Sequence, residues 1–441
     1  MRYENIKSGI LTVLVLVSLL LTWNLWTYQP NYDKMEKSKT VAEVTVDKKQ
    51  DVTKIVRPDQ VLFHVKGEHY GTSSPDELDK LMKEISSWTI SDVKNYTERA
   101  GNLDSFIHGS GNAELVFPGD VPIELYLSVL NIEGKKIPPF NFNRIIVNVN
   151  ELDKGNGSVY FASTETGQIY VSRISTANLN EFNRDYYKNA ARYPKFFAYK
   201  SSDKRSIYLP EAKVKMTTYK YLPVTLNSDE FKDALFDDPS FVQRSSIPHG
   251  EEFTNDSSKM TVNYDSNILQ YINPTPEESF VDSSYDLVKR SIDFVNEHGG
   301  WTDSFRYVSK SESKRSVTFR LYSTDGYPIF NNNGLSEMTE EWGRDEINKY
   351  VRPNITLDLP LLTEMQTVTP PSGHEILAAL QSNKNFKPEL LEELVLGYQM
   401  VRSSDENKLI LLEPAWFYRY NKSWGQIMLS NLGGGSVDGL E

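Results

Sequence analysis

The chain has 441 residues, 39% hydrophobic and 12% aromatic, so it can build two or three packed cores and is not a disordered protein. Its net charge of -12 argues against a nucleic-acid surface, which needs clustered Lys and Arg. It contains no cysteine, and that removes thiol catalysis, cysteine-ligated metals and disulfides together.

From Gly9 to Trp26 there is no charged residue. As a helix this run is about 27 Å long, close to a hydrocarbon core of about 30 Å. Trp23, Trp26 and Tyr28 sit at one end, as membrane-interface anchors. The pattern predicts a cytoplasmic N-terminus over residues 1–8, a transmembrane helix over 9–28 and the bulk of the chain outside the cell membrane. A cleaved signal peptide would have a shorter apolar core and a small-residue cleavage site, which the Trp23 to Pro30 stretch lacks. Arg2 and Lys7 precede the span, and Lys34, Lys37 and Lys39 follow it, so charge alone orients it weakly. Long domains translocate largely regardless of charge, which favours the N-terminus inside. An extracytoplasmic domain of this size without disulfides fits a bacterium that does not rely on oxidative folding.

At 100° per residue, Ser8, Thr12, Ser18 and Thr22 fall within an arc of about 120° on that helix, with Val15 and Leu19 between them. Small hydroxyl residues on one face let a second helix approach and hydrogen-bond across, so these six residues are expected to face a transmembrane partner. The competing use of each hydroxyl is a bond to its own helix's carbonyl four residues back.

Residues 29–56 read as a polar stalk, in which Thr40 to Val46 has edge-strand character. An N-terminal α+β domain is expected over 57–210. Ser74, Pro75, Asp76 and Glu77 form a helix start, and Leu78, Leu81, Met82 and Ile85 continue it at helical spacing. Ala113 to Phe117, Glu124 to Leu130, Arg144 to Val149, Ser158 to Ala162 and Gln168 to Ser172 read as strands. Gly155, Gly157 and Gly167 lie in the turns of the last three.

A middle α+β domain (211–275) and a C-terminal α+β domain (276–431) show a weak internal repeat. The helix Asp229 to Phe236 precedes a hairpin of Met260 to Tyr264 with Ile268 to Ile272. The helix Tyr285 to Val295 precedes a hairpin of Ser316 to Tyr322 with Tyr327 to Phe330, turned at Asp325 and Gly326. Pro274 to Ser279 is the expected seam. Ile355 to Pro360 reads as a strand, Ser372 to Leu380 as a capped helix, and Pro388 to Leu396 as a helix closed by Gly397. Leu409 to Tyr420 with Gly425 to Leu429 finish as a hairpin, and 432–441 is a loose tail.

Chemistry is sparse. Of the six histidines, His64 and His69 are near neighbours, but a spacing of five fits neither the i,i+4 nor the i,i+2 pattern of metal ligands, so the histidines are expected on loops or the surface. Ser201 with Lys204 and Ser311 with Lys314 match a Ser-x-x-Lys spacing, yet both lie in polar loops without companion motifs. The acid pairs Glu251–Glu252, Glu277–Glu278 and Glu340–Glu341 read as solvated faces rather than catalytic carboxylates. Asp153 to Gly157 lacks the order of a calcium loop. The reading is of a chain that is not an enzyme, with no cofactor and no metal.

The segments Glu4 to Ser8, Leu21 to Trp26 and Tyr28 to Asp33 closely resemble the start of the YycH family of low-GC Gram-positive bacteria, and Arg57 to His64 resembles the opening of its outer region. The resemblance implies a three-domain α+β ectodomain whose C-terminal part is related to YycI. It implies an accessory regulator that acts with YycI on the WalK (YycG) sensor kinase, and so on WalR-dependent cell-wall metabolism, through transmembrane and outer contacts. It assigns no catalytic residue. A membrane-tethered ligand-binding protein or cell-wall enzyme is the alternative.

Overall fold

Lys66 and Gly67 take φ of 51° and 87°, the left-handed pair that a two-residue hairpin needs, and fold strand β1 (Gln60–Val65) onto β2 (Glu68–Thr72). That hairpin opens the body of the protein. The computed structural model describes residues 15–18, 49–134, 136–274, 283–358, 360–361, 365–403 and 408–427.

The first sheet also holds β3 (Ile90–Asn95), β4 (Asn112–Pro122), β5 (Ile132–Glu133), β6 (Asn141–Asn148), β7 (Ser158–Ala162), β8 (Ile169–Arg173), β9 (Lys195–Ser202) and β10 (Arg205–Pro210). Its order is β10-β9-β2-β1-β4-β6-β7-β8-β3-β5. Helix α1 (Pro75–Ser86) starts at the expected place, with Pro75 in its first turn, although the Ser74 hydroxyl makes no cap bond. Leu78, Leu81 and Ile85 from α1 meet Phe63, Leu115, Phe142 and Phe161 on one sheet face. Full burial of each such side chain contributes about 1.5–3 kcal/mol. Strand alternation sends Ile146 and Tyr160 to the opposite face, where α2 (Leu103–Ile107) lays Phe106 and Ile107 on them.

The stretch Glu124 to Leu130 is not a strand. Ile123–Tyr126 is a short helix, α3, whose Ile123, Leu125 and Tyr126 are all buried, with Tyr126 Oη donating to the Val56 carbonyl at 3.0 Å. A turn that buries three large side chains in four residues leaves no alternation to preserve. Helix α4 (Thr176–Asp185), capped by Ser175, adds Leu179 and Phe182 to the core.

After β11 (Met216–Tyr221) and β12 (Val224–Thr225) the chain repeats itself. Helix α5 (Ser228–Leu235) leads into β13 (Gln243–Ile247), β14 (Gly250–Thr254), β15 (Lys259–Asn263) and β16 (Ile268–Ile272). Helix α6 (Ser284–Glu297) leads into β17 (Phe305–Ser311), β18 (Ser316–Leu321), then, past β19 (Ile329–Phe330), β20 (Glu337–Trp342) and β21 (Ile347–Pro353). The sheet order β13-β14-β15-β16-β21-β20-β18-β17 places the two meanders edge to edge, with Ile268 opposite Pro353 and Ile272 opposite Lys349.

The second hairpin was expected from β18 and β19, joined at Asp325 and Gly326. Gly326 does turn the chain, at φ 84°, and Tyr322 bridges Pro328. However, β19 then leaves for another sheet and pairs parallel to β24 (Leu391–Arg402), so the true counterpart of β15–β16 is β20–β21. The expected seam around Pro274 lies largely outside the described residues.

The third sheet runs β19-β24-β25-β11-β23, where β23 is Gln366–Val368 and β25 is Ile410–Tyr420, with β26 (Ser423–Gln426) on β25. Its β24 corrects the helix expected over Pro388 to Leu396. Pro388–Leu390 is a single 3-10 turn, and Leu391 onward is a long strand flanked by β19 and β25. A β-bulge between Leu391 and Glu393 breaks the alternation and leaves Leu391 and Leu394 buried three residues apart, a helical spacing. The strand expected from Ile355 shortens to β22 (Ile355–Thr356), paired with β12. Helix α7 (Gly373–Ser382) opens on a full capping box between Ser372 and Glu375.

The sheets are interlocked. Strand β4 departs from its β6 register between Val116 and Val121, and β17 departs from its β18 register at Val308. The two bulges meet: Tyr307 Oη donates to the Asp120 carbonyl at 2.7 Å. On the other side His374 of α7 stacks on Phe197 of β9 with centroids 3.6 Å apart.

Candidate functional site

Of the residues expected to face a transmembrane partner, Val15 and Ser18 fall in the described stretch 15–18, which is helical and exposed. Ser8, Thr12, Leu19 and Thr22, with the interface residues Trp23, Trp26 and Tyr28, lie outside the described residues. No helix among the described residues is long and apolar enough to cross a membrane.

What the fold does bring together is a chain of histidines and carboxylates. The two-residue turn at Lys66 and Gly67 makes residues five apart direct cross-strand neighbours, so His64 faces His69, with their Nδ1 atoms 2.8 Å apart. Pairing of β1 with β4 sets Leu62 against Glu114, and puts the Glu114 side chain beside His64. The loop from α2 into β4 then returns His108 to the same place.

Two imidazoles converge on one oxygen. His64 Nε2 lies 3.1 Å and His108 Nδ1 3.0 Å from Glu114 Oε1. Each imidazole is held again from behind. His108 Nε2 is 3.5 Å from Asp104 Oδ1, and Asp104 is fixed by the Ser206 amide and hydroxyl, both at 2.7 Å. The backbone of His64 is clamped as well, since its carbonyl accepts from Tyr187 Oη at 2.6 Å. Tyr208 closes the group, its ring 4.6–5.0 Å from those of His64, His69 and His108.

Glu114 and His64 are almost wholly buried, at 0% and 1% exposure. Burial pushes Glu114 up, but the His108 and His64 rings outweigh it and hold the carboxyl far below its usual range. Burial pushes His108 down, and the Glu114 and Asp104 carboxylates reverse that and lift it to about 9. His69 is lowered to about 4, by burial and then by its neighbours His64 and His108. Among the described residues Glu114 Oε2 has no hydrogen-bond partner; Arg144 Nε stands 3.4 Å away in an ion pair without hydrogen-bond alignment. Among the described residues, His64, His108 and Glu114 offer one metal-ligating atom each, all within 4.8 Å of one another.

This corrects the expectation of loop or surface histidines. His249 and His374 are exposed, but His64 is core and His69 and His108 are partly buried. One signal was present: a lone Glu inside the apolar strand Ala113 to Phe117 needs a partner if that strand is buried. The acid pair Glu340–Glu341 divides in the same way. Glu341 points to Lys349, whereas Glu340 is fully buried against Ser291 and Trp342, and burial raises its carboxyl well above the usual range. The Ser-x-x-Lys stretches both fall at hairpin turns, β9–β10 and β17–β18.

Both halves of the chain match a known family: residues 4–191 match the YycH protein, N-terminal domain, and residues 204–434 the YycH protein, C-terminal domain. Over 439 residues the chain is 26% identical to the two-component system WalR/WalK regulatory protein YycH of Bacillus subtilis (strain 168), covering 96% of this chain and 95% of that relative. The crystal structure of YycH from Bacillus subtilis superposes with a TM-score of 0.72 at 21% identity, over 88% of this chain and all of the other, and the two share their mixed α+β fold.

Proposed function

This chain belongs to the YycH family, and from that premise we propose that it is a membrane-anchored regulator of a WalR/WalK two-component system. The observation that carries the reading is the continuous match to a WalR/WalK regulatory protein along nearly the full length of both chains. The part played by the N-terminal helix is argued from its sequence.

A single-pass protein shifts a kinase between two states only by binding one of them better. A coupling of about 1–3 kcal/mol changes the kinase equilibrium several-fold to a hundredfold. In this reading residues 9–28 confine the chain to the plane of the kinase's own helices, and the face of Ser8, Thr12, Val15, Ser18, Leu19 and Thr22 lies against them. The folded body outside the membrane biases that contact, together with YycI, and the output is WalR-dependent cell-wall metabolism.

The test is complementation. A strain lacking the gene should show altered WalR-dependent transcription, restored by the native chain but not by a chain whose residues 9–28 are replaced with an unrelated transmembrane helix. No transcriptional change on deletion would remove the regulatory reading. Full restoration by the exchanged anchor would leave a tethered binding protein or enzyme in its place.

A further inference from the structure

We propose that His64, His108 and Glu114 form a binding site for a divalent transition-metal ion of the zinc class. The proposal goes beyond the regulatory reading and does not depend on it. The donor set is two imidazole nitrogens and one carboxylate, which suits zinc and its neighbours and disfavours calcium and magnesium, whose ligands are oxygens.

The spacing fits such an ion. Both ring nitrogens stand 3.0–3.1 Å from Glu114 Oε1. Ligand atoms about 2.0–2.1 Å from a tetrahedral metal are separated by a little over 3 Å. Both imidazoles also have the outer support that metal sites use: His108 Nε2 is backed by Asp104, and His64 Nδ1 by His69. Glu114 is fully buried, and among the described residues its Oε2 has the Arg144 ion pair but no hydrogen bond. A buried carboxylate calls for positive charge, and its Oε1, the atom both imidazoles reach, is the one offered to an ion. The ions that reach it pass the rim where His69, His108 and Asp104 are partly exposed. Three protein ligands make an open site, of the kind that leaves a coordination position for water or an incoming group.

The experiment uses the purified full-length chain in detergent, stripped of metal with a chelator, folding checked by circular dichroism, and titrated with Co²⁺. The expected result is one Co²⁺ per chain with visible d–d bands that Zn²⁺ abolishes. Those bands should vanish in His108→Ala. They should weaken about ten- to a hundredfold in affinity in Asp104→Asn and His69→Ala, which alter only the outer support. His249→Ala, at an exposed histidine, should bind as the native chain does. The proposal is overturned if the native chain shows no bands at millimolar Co²⁺ or if they persist in folded His108→Ala. Should His108→Ala fail to fold, unchanged affinity in both Asp104→Asn and His69→Ala overturns it.

Discussion

Gly119 approaches Val308 so closely that a Cβ on Gly119 would lie 2.3 Å from the Val308 carbonyl oxygen. The contact joins the bulge of β4 to the bulge of β17, and the obstructing atom is backbone, which cannot swing aside. Gly119→Ala is therefore expected to force the two sheets apart locally and to destabilise the protein by about 1–3 kcal/mol, the usual range for overpacking. Urea unfolding measures it. A midpoint within error of the native one would show that the sheets are not held at this point.

Asp120, the next residue, carries a pH dependence of the less familiar sign. Burial lifts its carboxyl to about 6, against the Ser163 hydroxyl that donates to its oxygens at 3.0 and 2.8 Å. An unfolded chain titrates this group near 3.9. Between about pH 4 and 6 the folded state holds a proton that the unfolded state has lost, so acidification stabilises the fold through this group. Relative to Asp120→Asn, the native protein should gain up to about 3 kcal/mol on going from pH 7 to pH 4, and nothing further below that. Parallel stability curves for the two proteins across this range would refute the assignment.

Tyr322 donates to Asp59 Oδ2 at 2.6 Å while the Arg306 guanidinium lies 4.3 Å over its ring. This links the residue before β1 to the end of β18. Tyr322→Phe keeps the ring and the cation contact but leaves a part-buried carboxylate oxygen short of a donor. A loss of about 1–3 kcal/mol is expected. Phe at this position with unaltered stability would mean that solvent replaces the phenol at no cost.

In the membrane, exchange of Ser8, Thr12, Ser18 and Thr22 for leucine or valine should weaken association with the kinase in a two-hybrid assay, because it removes both close approach and cross-helix hydrogen bonds. Insertion, followed by protease accessibility, should be unchanged. Association at native strength would assign those hydroxyls to their own helix.

The legible parts of the sequence were those where local chemistry is decisive. Gly155 and Gly167, both at positive φ, punctuate the β6-β7-β8 meander as read, and Ser372 caps the start of α7 as read. The start of β24 carries a helical spacing because the bulge between Leu391 and Glu393 shifts the alternation, and only strand pairing reveals a bulge. The histidine cluster was invisible for a different reason. His64 and Glu114 lie 50 residues apart and meet only through the pairing of β1 with β4, while His64 and His69 meet only because Lys66 and Gly67 make the tightest hairpin turn. Spacing rules drawn from single helices and strands do not register either event.

The duplicated meanders also bear on how the chain assembles. In the first, neighbouring strands are joined through short connections, and in the second only the excursion through β19 is longer, whereas the seam must bring Ile268 to Pro353 across the whole of the second unit. Closing a long loop costs more chain entropy than closing a short one, and contacts of high sequence separation form slowly. Each half can thus zip from its own turns, with the β16–β21 zipper fastening late. Until it does, two hydrogen-bonding edges stand open to each other and to any second molecule emerging beside them.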